Sequence, residues 1–115
     1  MKEACIFCQI AVGTSVAEVV HKSAETLFFN DISPKAAVHV VAIPKKHLSS
    51  LNTLGQSDTR VLSQLLLEIP VVARQIGVAE SGYRVLMNVG ADAGQEVQHL
   101  HFHILGGESL GPMRC

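Results

Sequence analysis

The sequence predicts one α+β domain in which a sheet is covered by a long helix, and three stretches carry that expectation. Residues 99–104 alternate polar and apolar side chains strictly, with imidazoles at His99, His101 and His103. In an extended segment successive side chains point to opposite faces, so the three histidines share one face while Leu100, Phe102 and Ile104 share the other. A helix would scatter both sets. From Ser57, apolar Leu62, Leu65, Leu66, Ile69, Ala73 and Ile76 recur at steps of three and four, the pattern of an amphipathic helix. Between Ala17 and Ile43, three runs rich in β-branched and aromatic residues are separated by turn residues, the pattern of consecutive strands.

Taken in order, residues Cys5 to Val12 form a short helix stopped by Gly13, with Ile6, Phe7, Ile10 and Ala11 near helical spacing. Ala17 to His21 and Thr26 to Ile32 form a hairpin, with His21 at its surface edge. Pro34 ends the second strand because it cannot donate to a ladder and pushes Ser33 towards extended geometry. Val38 to Ile43 is apolar almost throughout and reads as a central strand closed by Pro44, interrupted only by His39. Lys45 and Lys46 read as a solvated corner. The long helix runs from Ser57, its N-cap, to Gly77, with Pro70 kinking it near Leu66. Tyr83 to Val89 is a fourth strand, and a glycine-containing loop from Gly90 to Val97 leads into the histidine strand, which Gly106 and Gly107 end.

Composition bounds the function. A chain of 115 residues, 48% hydrophobic and 17% charged, can bury roughly two thirds of its unfolded surface and build a real core. Nine Lys and Arg against ten Asp and Glu leave a net charge of -1, which gives no general attraction to nucleic acid or to a membrane surface. The first residues lack a basic head before a long apolar run, and no segment approaches the roughly 20 apolar residues of a membrane span, so a cytoplasmic location is expected. Three cysteines, an odd number, argue against a disulfide framework. Cys115 is expected to be a free, exposed thiol.

Three features carry candidate chemistry. Cys5 and Cys8 have the Cys-x-x-Cys spacing of half a zinc site, of a redox pair, or of two packed thiols. Asp31, at a strand end before Ser-Pro, is either an acceptor for sugar hydroxyls or a turn former. The Gly90–Gly94 loop either brings backbone N–H groups to an anion or simply connects strands; it matches neither the Rossmann nor the P-loop fingerprint. With His39 as a fourth imidazole beside the three alternating ones, the strands present a histidine cluster next to that loop.

Residues 99–105, the segment from Asn30 to Pro34, the strand from His39 to Ile43 with Pro44 to His47, the loop from Asn88 to Gln95, and Leu110 to Met113 together resemble the histidine triad (HIT) family, in its Hint branch of purine nucleoside phosphoramidases. The resemblance covers nearly the whole chain. It implies a five-stranded antiparallel sheet with one long and one short N-terminal helix, a homodimer, and hydrolysis of purine nucleoside 5'-phosphoramidates to the monophosphate. His101 is then the nucleophile, supported by His39, His99 and His103. A neutral imidazole is a competent nucleophile near neutral pH if its second nitrogen is held. Asp31 takes the ribose, Phe28 and Ile32 lie beside the base, Asn88, Gly94, Gln95 and His103 contact the phosphate, and Val97 and His101 complete the nucleotide site. Glu96 stands where many relatives carry a serine near the leaving group, and an ionised carboxylate cannot donate as that hydroxyl does. The resemblance further implies a structural zinc ion on Cys5, Cys8, His47 and His99, and no organic cofactor. The alternative reading is a zinc-stapled nucleotide- or protein-binding adaptor with little turnover.

Overall fold

A computed structural model describes residues 4–113; Cys115 lies outside them. Five strands form one antiparallel sheet: β1 (Val19–Lys22), β2 (Thr26–Asn30), β3 (Val38–Pro44), β4 (Tyr83–Leu86) and β5 (Phe102–Gly106), in the spatial order β1-β2-β3-β5-β4. Helix α1 (Ile6–Val12) packs on one face and α2 (Thr59–Gln75) on the other. The apolar central strand is indeed β3, which pairs with both β2 and β5.

The two cores explain this arrangement. On the α2 side, Leu65, Ile69 and Val72 meet Phe28, Val40, Ala42 and Ile104. Burying each such side chain contributes about 1.5–3 kcal/mol. On the opposite side Phe7 of α1 meets Leu27, Phe29, Val41 and Ile43. Helix α1 ends where expected, at Gly13 in the left-handed conformation, with its N–H returned to Gln9 and Ile10.

Several boundaries differ from expectation. The hydrogen-bonded ladder of the histidine strand begins only at Phe102, so His99, Leu100 and His101 precede it. The alternation of faces persists nonetheless, with Leu100 packed on Leu48 and Val61 and Phe102 on the α2 side. The fourth strand stops at Leu86 and β2 at Asn30, which leaves Asn88, Asp31 and Ile32 in loops. Ser57 lies in a 3-10 turn rather than capping α2. Asp58 secures this entry instead, its buried carboxylate accepting from the Gly55 N–H at 2.9 Å and from Lys46 at 3.0 Å. Lys46 is thus an anchor as well as a solvated residue. Leu66 faces outward, 51% exposed, and Val61 and Val72 take the core positions. No described helix is long and apolar enough to cross a membrane.

The double glycine has a steric reason. Gly107 has φ +80°, and a Cβ there would lie 2.9 Å from Val38 Cγ2 and 3.2 Å from Ala37 Cβ. Left-handed geometry costs a non-glycine residue about 1–2 kcal/mol and overpacking about 1–3 kcal/mol more. Gly107→Ala is therefore expected to lose about 2–5 kcal/mol of stability, read as a lower urea midpoint with an unchanged slope.

Candidate active site and metal centre

Pairing register builds the floor of a cleft. Phe29 pairs with Val41, Val41 with His103, and His103 with Leu86, so these four side chains form a row on the α1 face. His39 pairs with Leu105 on the same face. Above them lies a cleft of about 260 Å³, whose lining includes Phe7, Asp31, His39, Asn88, Val97, His101 and His103, together with Gly94, Glu96 and Lys35. Most of the residues expected around a nucleotide do converge there.

Five of the expectations need correction. Phe28 is fully buried among the α2-side residues, because Phe28, Ala42 and Phe102 form a paired row on the opposite face. The aromatic residues on the cleft side are Phe29 and Phe7, whose rings meet edge-on at 5.5 Å. Ile32 is 98% exposed and does not line the cleft. The amide of Gln95 is turned inward, where its oxygen accepts from the Gly90 N–H at 2.9 Å and its nitrogen donates to Ser49 O at 2.9 Å and Val97 O at 3.0 Å. Gln95 therefore clamps the loop from within. Gly94 lines the cleft, yet its own N–H donates to Ala91 O, so it offers room rather than a donor. His99 is fully buried and its ring faces the cysteines, not the cleft.

The imidazoles form a defined chain of donors and acceptors. His101 Nδ1–H donates to the carbonyl of His99 at 2.7 Å, which leaves the lone pair on Nε2. The Lys35 backbone N–H donates to His39 Nδ1 at 3.0 Å, so the His39 proton sits on Nε2 and is given to His103 Nδ1 at 2.8 Å. His103 is left with a proton on Nε2. Burial holds the pKa of His103 down to about 4, helped by neighbouring His101 and His39, and burial also lowers that of His39. Both rings are thus neutral at physiological pH. Asp31 completes the group: Oδ2 lies 3.5 Å from His39 Nε2 while Oδ1 accepts from the Ser33 N–H at 2.8 Å. It is a turn former and a cleft residue at once. Asp31, His39 and His103 lie close enough to chelate a metal, but the Lys35 N–H commits His39 to the tautomer in which Nε2 has no lone pair to give.

A second cluster suits a metal. Cys5, Cys8, His47 and His99 bring one ligand atom each within 4.8 Å of one another. Cys5 Sγ to His99 Nδ1 is 3.4 Å, Cys8 Sγ to His99 Nδ1 is 3.6 Å and Cys8 Sγ to His47 Nδ1 is 3.2 Å. A tetrahedral zinc ion with ordinary bond lengths separates sulfur from nitrogen by about 3.6 Å, so this donor set is nearly of the right size. His99 Nε2–H donates to Pro44 O at 2.8 Å, which fixes the tautomer with its Nδ1 lone pair towards the thiols. Burial lowers the pKa of His99 to about 4 and so keeps that lone pair available. Without a cation, burial raises the pKa of the Cys5 thiol.

Sequence reasoning missed Phe7 and Lys35 as cleft residues and took Phe28 where Phe29 belongs. A strict count of two from Asp31 or from His39 through the β2–β3 register would have found Phe29.

Comparison with known proteins agrees with this fold. A family model described as "Scavenger mRNA decapping enzyme C-term binding" matches residues 4–114. The chain is 36% identical over 113 residues to a purine nucleoside phosphoramidase of Escherichia coli (strain K12), covering 98% of this chain and 95% of that one. It is 39% identical over 102 residues to Protein HitA of Neisseria gonorrhoeae, covering 89% and 94%. Among solved structures, a histidine triad protein from Clostridium difficile has a TM-score of 0.94 at 38% identity, covering 99% of both chains. A HIT family hydrolase from Legionella pneumophila has a TM-score of 0.90 at 40% identity, covering 93% of this chain and 96% of that one.

Proposed function

This chain belongs to the histidine triad (HIT) family, and we propose that it is a nucleotide-binding hydrolase that cleaves the P–N bond of purine nucleoside 5'-phosphoramidates through a nucleotidyl-histidine on His101. The observation that carries this reading is the 2.7 Å bond from His101 Nδ1–H to the His99 carbonyl, which leaves the Nε2 lone pair of a cleft imidazole free to attack. The name of the Escherichia coli relative supports the substrate class.

In the proposed reaction Asp31 accepts hydrogen bonds from the ribose hydroxyls, and the apolar wall of Phe7 and Val97 meets the base. Asn88 Nδ2–H and His103 Nε2–H donate to the phosphate oxygens, where negative charge builds as phosphorus becomes five-coordinate. His101 Nε2 attacks the phosphorus; the P–N bond to the leaving amine breaks, and the amine departs with the electron pair and takes up a proton. Water then attacks the same phosphorus and gives up to solvent a proton that balances the one the amine took up from it, the P–Nε2 bond breaks, and the electron pair returns to His101. The monophosphate leaves as product. Release of adenosine monophosphate from adenosine 5'-phosphoramidate by the purified protein tests the activity, and no release above the uncatalysed background would contradict it.

Cys5, Cys8, His47 and His99 would hold one zinc ion as a closed structural site. Such an ion pins α1 to the sheet and takes no part in the chemical steps.

The protein is also proposed to be a homodimer. Strand β4 is a sheet edge, and Val85 on it is 40% exposed, as are Leu66 (51%), Leu67 (73%) and Val71 (44%) on α2. Two-fold pairing covers such apolar surface on both copies. Light scattering at micromolar concentration is expected to give twice the chain mass; the mass of a single chain would contradict the assembly.

A further inference from the structure

Glu96 belongs to two cavities at once. With Val97 it lines the histidine cleft, and with Val97 it also lines an adjoining cavity of about 450 Å³ bounded by Ala4, Ile6, His47 and Ser49. Anything attached to a phosphorus atom at His101 and too large for the cleft has this cavity as a neighbouring space. Among the described residues that line the second cavity, Glu96 is the one Asp, Glu, Lys or Arg.

The carboxylate is uncommitted and well held. Glu96 makes no hydrogen bond or ion pair with another described residue. The other cleft carboxylate, Asp31, is bonded to the Ser33 N–H and faces His39. Gln95, immediately before Glu96, is anchored through Gly90, Ser49 and Val97, so the backbone that carries the Glu96 side chain is fixed on both sides. The one cation of the cleft lining, Lys35, turns its Nζ–H to Ser33 O. Among the described residues that line the two cavities, no other lysine or arginine stands beside Glu96, so a cationic ligand finds a carboxylate there that no described residue pairs with.

We propose that Glu96 is the specificity-determining residue for the leaving group, and that the cavity it shares with the cleft is a subsite for amines whose side chain carries an ammonium group. This rests on the phosphoramidase reading above. The ammonium is present in the bound substrate and is unchanged when the P–N bond breaks and the reacting amine departs with its electron pair and a proton. Its attraction to Glu96 therefore acts on binding, and its signature is in KM rather than kcat. Because Glu96 is exposed, salt screens the effect.

The test compares three adenosine 5'-phosphoramidates that differ only in the amine: 1,2-diaminoethane with its free ammonium, neutral propylamine, and β-alanine with its carboxylate. The wild-type protein is expected to favour the ammonium over the carboxylate substrate by about tenfold in kcat/KM, mostly through KM, with the ratio shrinking as salt is raised. That ratio corresponds to about 1.4 kcal/mol. Glu96→Gln should bring it to within about twofold, and Glu96→Lys should invert it. If the wild type turns over all three substrates and Glu96→Gln leaves the ratio intact, the subsite assignment is overturned while the phosphoramidase reading stands. If the wild type hydrolyses none of them and not the unsubstituted phosphoramidate either, both fall.

Discussion

His101→Ala is expected to lower kcat on adenosine 5'-phosphoramidate by about 10⁴-fold or more while leaving the dissociation constant for the monophosphate within about threefold. A loss of 10⁴ corresponds to about 5.4 kcal/mol of activation free energy, a size that only removal of a reacting group supplies at one residue. Binding survives because the proposed ribose and phosphate contacts belong to Asp31, Asn88 and His103, which remain. The ring of His101 also packs edge-on against Phe7 at 5.1 Å and against His103 at 5.0 Å, so some thermal stability goes with it. Comparing turnover per folded molecule, with nucleotide binding measured on the same preparation, separates lost chemistry from lost folding. Turnover close to that of the wild type would remove His101 from the nucleophile's role.

Removing the metal is expected to do the reverse. Protein purified without chelators should carry about one zinc ion per chain, and chelation should lower Tm by on the order of 10 °C, equivalent to a few kcal/mol in a domain of this length. Activity per folded molecule should fall by less than about threefold, because the steps proposed at His101 need no cation. The link between the two sites is the backbone of His99: its ring meets the thiols while its carbonyl accepts the His101 Nδ1–H. The buried clusters of the sheet are built mainly from side chains other than the four ligands, which is why the expected effect is smaller than the complete unfolding of a zinc finger. Well under one zinc per chain, together with an unchanged Tm for Cys5→Ser, would return Cys5 and Cys8 to packed thiols.

How far the sequence carries depends on how local each interaction is. The alternation from His99 to Ile104 gives the faces of the strand correctly even though the ladder starts only at Phe102, because side-chain direction follows extended backbone and not hydrogen bonding. The family resemblance put Phe28 beside the base, but the same rule places it on the opposite face, since its pairing with Ala42 turns it towards α2. A one-residue slip moves every side chain to the other face. The clamp made by Gln95 could not be read, because one of its partners, Ser49, lies 46 residues away. The convergence of His47 and His99 on the N-terminal cysteines is likewise a tertiary fact; the Cys-x-x-Cys spacing is half a site by itself, and only the family resemblance supplied the other half. Nor does composition show that Lys35 would fix the His39 tautomer, since it acts through its backbone N–H, which any residue but proline possesses.

The central claim is a covalent intermediate on His101, and the stereochemistry at phosphorus tests it most directly. A nucleoside phosphoramidate made chiral at phosphorus with sulfur and oxygen isotopes is hydrolysed, and the configuration of the product is determined. Attack by His101 followed by attack of water comprises two in-line displacements, each inverting the centre, so the account predicts net retention. Net inversion would mean that water attacks the substrate directly, and would contradict it.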